Sequence, residues 1–118
     1  MFVLSGYRDM PGLFARAGDA GVRHVVLLSG SSATARDLDN AISRYMLASE
    51  TALRDSGLGW TIVRPVSFMS DTLQWLDQLR AGDVVRAAFG EVPVAAVDPY
   101  DIAAVAAQAL LSPCSVTL

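Results

Sequence analysis

The sequence contains no lysine, one cysteine and one histidine among its 118 residues. A single cysteine excludes an intramolecular disulfide and any metal site that is built from several thiolates. His24 lies within a strand pattern and is interpreted as a strand-face residue, not as a ligand or a base. We therefore predict no metal site.

The basic residues are nine arginines, scattered along the chain from Arg8 to Arg86. The formal net charge is −3, and no stretch concentrates the cations. Proteins that bind nucleic acids present a basic patch to the phosphates, and this feature is missing here. We expect no nucleic-acid partner.

Long hydrophobic runs are also missing, although 53% of the residues are hydrophobic and only 18% are charged. The longest runs, such as HVVLLSG and VPVAAV, have the length of strands and fall far short of the roughly 20 residues of a spanning helix. The start, MFVLSGYRDMPG, lacks the basic beginning and long apolar core of a signal peptide. We expect no membrane association and a cytoplasmic location.

Strand and helix patterns alternate along the first half of the chain. The apolar segments FVLSG, RHVVLLSG and WTIVRP are typical of buried strands. Between them, MPGLFARAGDAG and residues 38–55 have helical spacing, with Pro11 suited to a first helical turn and Gly21 to a helix end. Connections this short indicate βαβ units and a mostly parallel sheet.

The second half predicts two further helices and two short strands. Asp71 is predicted to cap a helix over TLQWLDQLRAG, and DVVRAAF and VPVAAV are predicted to be strands. DPYDIAAVAAQALL predicts the last helix, with Asp98 as its N-cap, Pro99 in the first helical position and Asp101 beside the helix dipole. Capping is preferred here over a catalytic pair of carboxylates.

The prediction is one α/β domain over residues 1–118: a partial doubly wound parallel sheet of the Rossmann type, with flanking helices. The first strand begins at residue 2 with no glycine-rich turn before it, so the N-terminal Gly-rich βαβ unit is absent. Three main strands make about half of such a sheet. The high apolar fraction then indicates uncovered sheet surface, through which the chain would self-associate. The sequence is interpreted as a piece of a larger protein.

Three motifs stand in order along the chain. They are Glu-x-x-Leu-x-x-Ser-Gly at residues 50–57, Thr-Ile-x-Arg-Pro at residues 61–65, and Val-Asp-x-x-Asp-Ile-Ala at residues 97–103. With VRHVVLLSG upstream, they resemble the second half of an NmrA-like atypical short-chain dehydrogenase/reductase. The resemblance extends from Phe2 to about Leu111 and implies a Rossmann-type NAD(P)-binding domain.

The glycine-rich loop of that family has no counterpart in the sequence. In relatives it receives the cofactor pyrophosphate at a helix N-terminus. The glycines of GDAG, Gly18 and Gly21, are interpreted instead as a helix end and turn. We expect the intact protein to bind NAD(P), and this chain alone to bind it weakly or not at all.

Tyr45 lies on the helix where related enzymes carry a catalytic Tyr-x-x-x-Lys pair on one helical face. Counting back from Glu50 places Met46 at the lysine position and Ile42 at the tyrosine position. Tyr45 is thus one residue out of register, about 100° around the helix. We assign no catalytic residue to the chain and interpret Tyr45 as packing against a neighbouring element.

Seven residues that follow the three main strands are candidate cofactor contacts, because ligands bind at the carboxyl ends of strands in such sheets. They are Ser5, Gly6, Ser29, Pro65, Val66, Ser67 and Phe68. The alternative for Ser29 is a turn serine. In the family, backbone groups after the third strand pass beside the nicotinamide. Arg64 is interpreted as a residue that holds carbonyls or a carboxylate, with an anion site as the alternative.

The resemblance implies that the intact protein is an NAD(P)H-dependent oxidoreductase that reduces a quinone or a similar small acceptor. Without a catalytic tyrosine, hydride would pass directly from the nicotinamide to the acceptor. Two alternatives stay open: a non-catalytic dinucleotide-sensing regulator, and a truncated product without independent activity. The expected partner is accordingly a small redox substrate or a regulatory protein.

Overall fold

The protein folds around one parallel sheet in the computed structural model, which describes residues 1–35, 37–88 and 90–118. Within these residues, four strands are arranged in the order β1-β2-β3-β4. The elements are β1 (Phe2–Leu4), α1 (Met10–Asp19), β2 (His24–Leu28), a 3₁₀ helix (Ser31–Ala35), α2 (Ala41–Arg54), β3 (Gly59–Val63), a second 3₁₀ helix (Met69–Trp75), α3 (Leu76–Ala81), α4 (Pro99–Leu111) and β4 (Val116–Thr117). The predicted α/β sheet of the Rossmann type is confirmed.

Two apolar cores lie on the two faces of the sheet, because successive side chains of a strand point to opposite faces. The first core lies between the sheet and helices α1 and α2 and contains Val3, Met10, Phe14, Val25, Leu27, Leu53 and Ile62. The second core lies between the sheet and α4 and contains Val26, Val63, Ile102 and Ala106. Helices therefore cover both faces, as the doubly wound pattern predicts.

The termini of α1 and α4 follow from local chemistry that the sequence displays. The side chain of Asp98 accepts a hydrogen bond from the backbone N–H of Tyr100 at 2.9 Å, and Pro99 is the first residue of α4. Pro11 lies in the first turn of α1. After α1, Gly21 has φ of +86°, a left-handed conformation that glycine adopts without strain. The interpretation of GDAG as a helix end and turn is confirmed.

The helix predicted over TLQWLDQLRAG differs from the structure. The segment forms a 3₁₀ helix followed by α3, and no side chain caps either of them. The assignment of Asp71 as an N-cap is therefore wrong. Leu73, Leu76 and Leu79 are exposed, so the segment does not bury the face that would have favoured one continuous α-helix.

The two short strands predicted before α4 are also wrong. Residues 83–88 contain no strand, and Phe89 lies outside the described residues. Of VPVAAV, only Val97 makes a bridge, and its partner is Phe68. Both segments are largely exposed, so their apolar residues bury no face that would stabilise a strand.

The strand β4 is missing from the sequence-based prediction. It pairs with β3 in parallel, with Thr61 opposite Val116. The hydroxyl of Thr61 also donates to the carbonyl of Cys114 at 2.6 Å, and the Arg64 N–H donates to the carbonyl of Leu118 at 2.9 Å. A strand of two residues is too short to show a period of two in the sequence.

The strand β1 exposes apolar side chains at the sheet edge. Phe2 and Leu4 are 45% and 49% exposed. They pair with Val26 and Leu28 and therefore share the face that α4 covers over the neighbouring strands. In the described part of the chain, no helix is long and apolar enough to span a bilayer.

Candidate functional site

The carboxyl ends of β1, β2 and β3 lie side by side, joined by backbone hydrogen bonds that continue the sheet. The N–H of Ser5 donates to the carbonyl of Leu28 at 3.1 Å, and the N–H of Ser31 donates to the carbonyl of Pro65 at 3.0 Å. The structure thus brings the predicted residues Ser5, Ser29 and Pro65 together at one edge of the sheet. We call the residues Ser5–Gly6, Ser29–Ser31 and Pro65 the carboxyl edge.

Ser5 and Ser29, the two predicted serines that lie at the carboxyl edge, donate their hydroxyl protons to other groups of the protein. Ser5 Oγ donates to the carbonyl of Leu28 at 2.8 Å. Ser29 is buried, and its Oγ donates to Oε1 of Glu50 at 2.7 Å. Ser29 is thus a buried link between β2 and α2 and more than a turn serine. Neither hydroxyl is free to donate to a ligand.

The four predicted residues after β3 separate into two groups. Pro65 and Val66 line an open cavity at the end of β3. Ser67 and Phe68 line a different cavity, beside the second 3₁₀ helix, and Phe68 also packs against the second core. The carbonyl of Ser67 is occupied, because it accepts from the N–H of Val97 at 3.0 Å.

Tyr45 packs on the carboxyl edge at Gly6. A Cβ atom on Gly6 would lie 3.1 Å from Cδ2 of Tyr45, so the ring rests directly against the glycine backbone. Gly6 has φ of +92°, and its N–H donates to Oγ of Ser49 at 3.0 Å. The contact agrees with the packing role predicted for Tyr45.

Met46 fills the space beside Gly30. A Cβ atom on Gly30 would lie 2.9 Å from Cε and 3.0 Å from Sδ of Met46. Ile42, one turn earlier on α2, is half exposed. The helix therefore presents a thioether and an aliphatic side chain at the two positions that the register count predicts for the catalytic pair, and neither group transfers a proton.

Glu50 is fully buried and is held by three side chains. Its carboxylate accepts from Nε of Arg64 at 2.8 Å and from Nη2 of the same side chain, in a bidentate pair. It also accepts from Nη1 of Arg54 at 3.0 Å and from the Ser29 hydroxyl. Arg54 in turn donates to Oγ1 of Thr117 at 3.2 Å. We call Ser29, Glu50, Arg54 and Arg64 the Glu50 network.

The Glu50 network confirms that Arg64 holds a carboxylate. The role of Glu50 itself was not predicted from the sequence, where this residue served only to fix the register of the helix. One signal was present in the sequence: Arg54 follows Glu50 by four residues, the spacing of an ion pair on one helical face. No sequence pattern indicates that Arg64, which follows β3, completes the group.

The ionised forms of Glu50 and Arg64 stabilise each other. Burial alone would raise the pKa of Glu50, but the hydrogen bonds from Arg64, Ser29 and Arg54 outweigh it and lower that pKa. The hydrogen bond to Glu50 likewise raises the pKa of Arg64. Arg64 is therefore committed to an internal carboxylate and is not available to an anionic ligand.

His24 lies at the amino end of β2, away from the carboxyl edge. Its Nε2 is 3.1 Å from Oγ1 of Thr61, whose own proton goes to the carbonyl of Cys114. Nε2 is therefore the donor in this contact. Burial, together with the charge of the chain's N-terminus, lowers the pKa of His24. Among the described residues, no three His, Cys, Asp or Glu side chains come together as a metal site.

Comparison with known proteins identifies the family. The sequence profile of a family described as NAD(P)H-binding matches residues 7–113. The chain belongs to this NAD(P)H-binding family. The NAD(P)-binding domain that the sequence motifs imply is thereby confirmed.

Two curated relatives are reductases. The chain is 51% identical over 96 residues to the (4-alkanoyl-5-oxo-2,5-dihydrofuran-3-yl)methyl phosphate reductase of Streptomyces griseus subsp. griseus, covering 81% of the chain and 34% of that protein. It is 37% identical over 101 residues to the NAD(P)H azoreductase of Xenophilus azovorans, covering 86% of the chain and 35% of that protein. The chain thus spans about a third of the length of these relatives.

Removing Arg64 from the Glu50 network is expected to destabilise the fold strongly. Arg64→Met leaves a buried carboxylate with one partner fewer, and breaking such a pair costs about 3–5 kcal/mol. Urea unfolding measures the loss. The double variant Glu50→Leu/Arg64→Met should recover part of it, because no charge then stays buried. Arg80→Met, which removes an exposed pair with Asp77, is the control and should change stability little. Equal losses in Arg64→Met and Arg80→Met would contradict this account.

The pH dependence of stability is expected to reflect Glu50. Its folded pKa lies below the ordinary value of 4.5, so the contribution of Glu50 is complete above that value and is lost as the pH falls through the folded pKa. Urea midpoints between about pH 6 and about pH 3 measure this acid limb. Arg64→Met should flatten it, because Arg64 makes the largest contribution to the lowering. An acid limb that is unchanged in Arg64→Met would show that other carboxylates produce it.

Proposed function

We propose that the chain forms the nicotinamide-binding part of an NAD(P)H-dependent oxidoreductase of the NmrA-like, atypical short-chain dehydrogenase/reductase type. The observation that carries the proposal is the carboxyl edge, where the ends of three parallel strands meet within a domain of an NAD(P)H-binding family. The two curated relatives, both named as reductases, support it. The whole activity would belong to an intact protein of about the relatives' length.

The carboxyl edge suits the dihydronicotinamide ring of NAD(P)H, which carries no charge. It offers backbone groups, two glycines and the hydroxyl of Ser31, with the thioether of Met46 beside Gly30. The cation next to Pro65, Arg64, is bound to Glu50. A pyrophosphate is instead held by the N–H groups of a glycine-rich turn at a helix start. The chain would therefore hold the nicotinamide, and its affinity for the dinucleotide would be low when it acts alone.

The chain's own contribution would be positioning and not proton transfer. When bound, NAD(P)H supplies a hydride to a two-electron acceptor. Ile42 and Met46 have no proton to give, and the Tyr45 ring lies against Gly6. The reduced acceptor would take its proton from water. Such chemistry suits quinone-type or similar small acceptors, whose reduced forms are protonated readily in solution.

A non-catalytic dinucleotide-sensing regulator is the second candidate. The apolar pair Ile42 and Met46 favours it, because a sensor binds the cofactor without turnover and signals through a protein partner. A truncated product without independent activity is the remaining alternative. Cofactor binding and turnover, measured separately, distinguish the three.

NADPH is expected to perturb Met46 selectively. The chain has four methionines, and ¹³C-methyl NMR resolves their side chains in one spectrum. The Met46 methyl group lies at the carboxyl edge. Met1 donates to the carbonyl of His24 at the opposite, amino end of the strands and serves as the internal control. Millimolar NADPH should shift the Met46 signal and leave Met1 unchanged.

Reduced nicotinamide mononucleotide provides the matched ligand control, since it lacks the adenylate. If the chain holds only the nicotinamide end of the cofactor, reduced nicotinamide mononucleotide should shift the Met46 signal as NADPH does. AMP should leave Met46 unchanged. A Met46 signal that responds to AMP, or to none of these ligands, would refute the proposed site.

Tyr45→Phe is expected to leave turnover within a few-fold of the original rate. The substitution removes only the hydroxyl and keeps the ring against Gly6, so catalysis is unaffected unless that hydroxyl transfers a proton. The measurement is NADPH oxidation by the intact protein with quinone and azo acceptors. Tyr100→Phe, at a highly exposed position, is the control. A selective loss of about a hundredfold in Tyr45→Phe would place the tyrosine in the mechanism.

A further inference from the structure

An open apolar cavity lies at the carboxyl end of β3, on the face of the sheet that α4 covers. Its volume is about 320 Å³, and its apolar lining includes Pro65, Val66, Ala95, Val97, Ile102 and Val105. Pro65 also belongs to the carboxyl edge. A molecule in the cavity would therefore lie next to the proposed nicotinamide site.

None of the described residues that line the cavity offers it a free positive charge. Arg64 contributes to its lining, but the guanidinium is bound to Glu50 of α2. Side chains of a strand alternate between faces, so Val63 points into the second core and Arg64 points to the α2 face. The part of Arg64 that borders the cavity thus brings no cation to it.

Among the described lining residues, the other charged groups are acidic: the side chain of Asp101 and the terminal carboxylate of Leu118. Asp101 is exposed and lies in the first turn of α4. Together with the N-cap Asp98, it offsets the positive end of the helix dipole. An anionic group entering the cavity would therefore meet a carboxylate and no compensating cation.

We propose that this cavity binds an uncharged apolar part of the redox substrate, an aliphatic chain or an aromatic ring, and excludes carboxylate and phosphate groups. The volume is at the lower end of the range for small-molecule sites, roughly 300–1,000 Å³. Any anionic group of the substrate is held elsewhere. The assignment of the ligand as substrate rests on the proposed oxidoreductase function, whereas the binding itself does not.

The isoleucines provide a selective test. The chain has three: Ile102 lines the cavity, Ile62 is buried in the first core and Ile42 is half exposed on α2. The δ1 methyl groups of the 118-residue chain are observed by ¹³C NMR during titration with 2-octanone. The Ile102 signal should shift and saturate, while Ile62 and Ile42 stay unchanged.

Octanoate, of the same length, tests the exclusion of charge. It should bind at least about tenfold more weakly than 2-octanone. Equal affinity for the two probes would overturn the proposal, and so would an Ile102 signal that does not respond. Equal shifts at all three isoleucines would show nonspecific contact and would overturn it too.

Two alanine substitutions localise the binding. Ala95→Trp places a large side chain in the cavity and should weaken 2-octanone binding about tenfold or more. Ala104→Trp is the matched control, because Ala104 is exposed on α4 and is not part of the cavity lining. An unchanged Ile62 signal confirms that both variants are folded. Equal weakening in both would overturn the assignment to this cavity.

Measurements with the cofactor separate this proposal from the proposed function. If Ile102 responds to 2-octanone while the intact protein does not oxidise NADPH with quinone or azo acceptors, the cavity proposal is supported and the oxidoreductase function is refuted. If Met46 responds to NADPH while Ile102 ignores 2-octanone, the cofactor site stands and the cavity proposal is overturned.

Discussion

The bidentate pair between Glu50 and Arg64 is the interaction on which the arrangement of the sheet and α2 depends. One partner lies on the helix and the other at the end of β3, so the pair fixes the helix against the carboxyl ends of the strands. A buried carboxylate is tolerated only when its oxygens are satisfied, and Ser29 and Arg54 complete that requirement. Through Arg54 the same group reaches Thr117 in β4. The carboxylate of Glu50 thus links four elements, namely β2, α2, β3 and β4.

The same pair also determines the chemical character of the carboxyl edge. It uses the hydroxyl of Ser29 and the guanidinium of Arg64, two groups that would otherwise be available to a ligand. What remains at the surface is backbone, glycine, the hydroxyl of Ser31 and the side chain of Met46. Structural stability and ligand chemistry are therefore linked, because the residues that hold the fold together are the polar residues closest to the candidate site.

The fold was predictable where periodicity and turn chemistry agree. The strands β1 to β3 and the helices α1, α2 and α4 have both, as the Pro99 start of α4 and the turn at Gly21 show. The two strands predicted before α4 were wrong, because strand formation depends on a partner that the local sequence does not specify. For the same reason β4 was not predicted, although its pairing with β3 is regular. For the candidate site, the sequence indicated which residues follow the strands, but not which of their polar groups are already bound to other residues of the chain.

The strand order has a consequence for how much of a ligand this domain can enclose. In open α/β sheets, the ligand crevice forms where the strand order reverses and neighbouring loops diverge to opposite faces. Among the described strands the order runs β1-β2-β3-β4 without reversal. The loops nevertheless diverge, because the chain after β2 leads to α2 on one face of the sheet and the chain after β3 leads to α4 on the other. A dinucleotide at the carboxyl edge would therefore lie between segments that come from both faces.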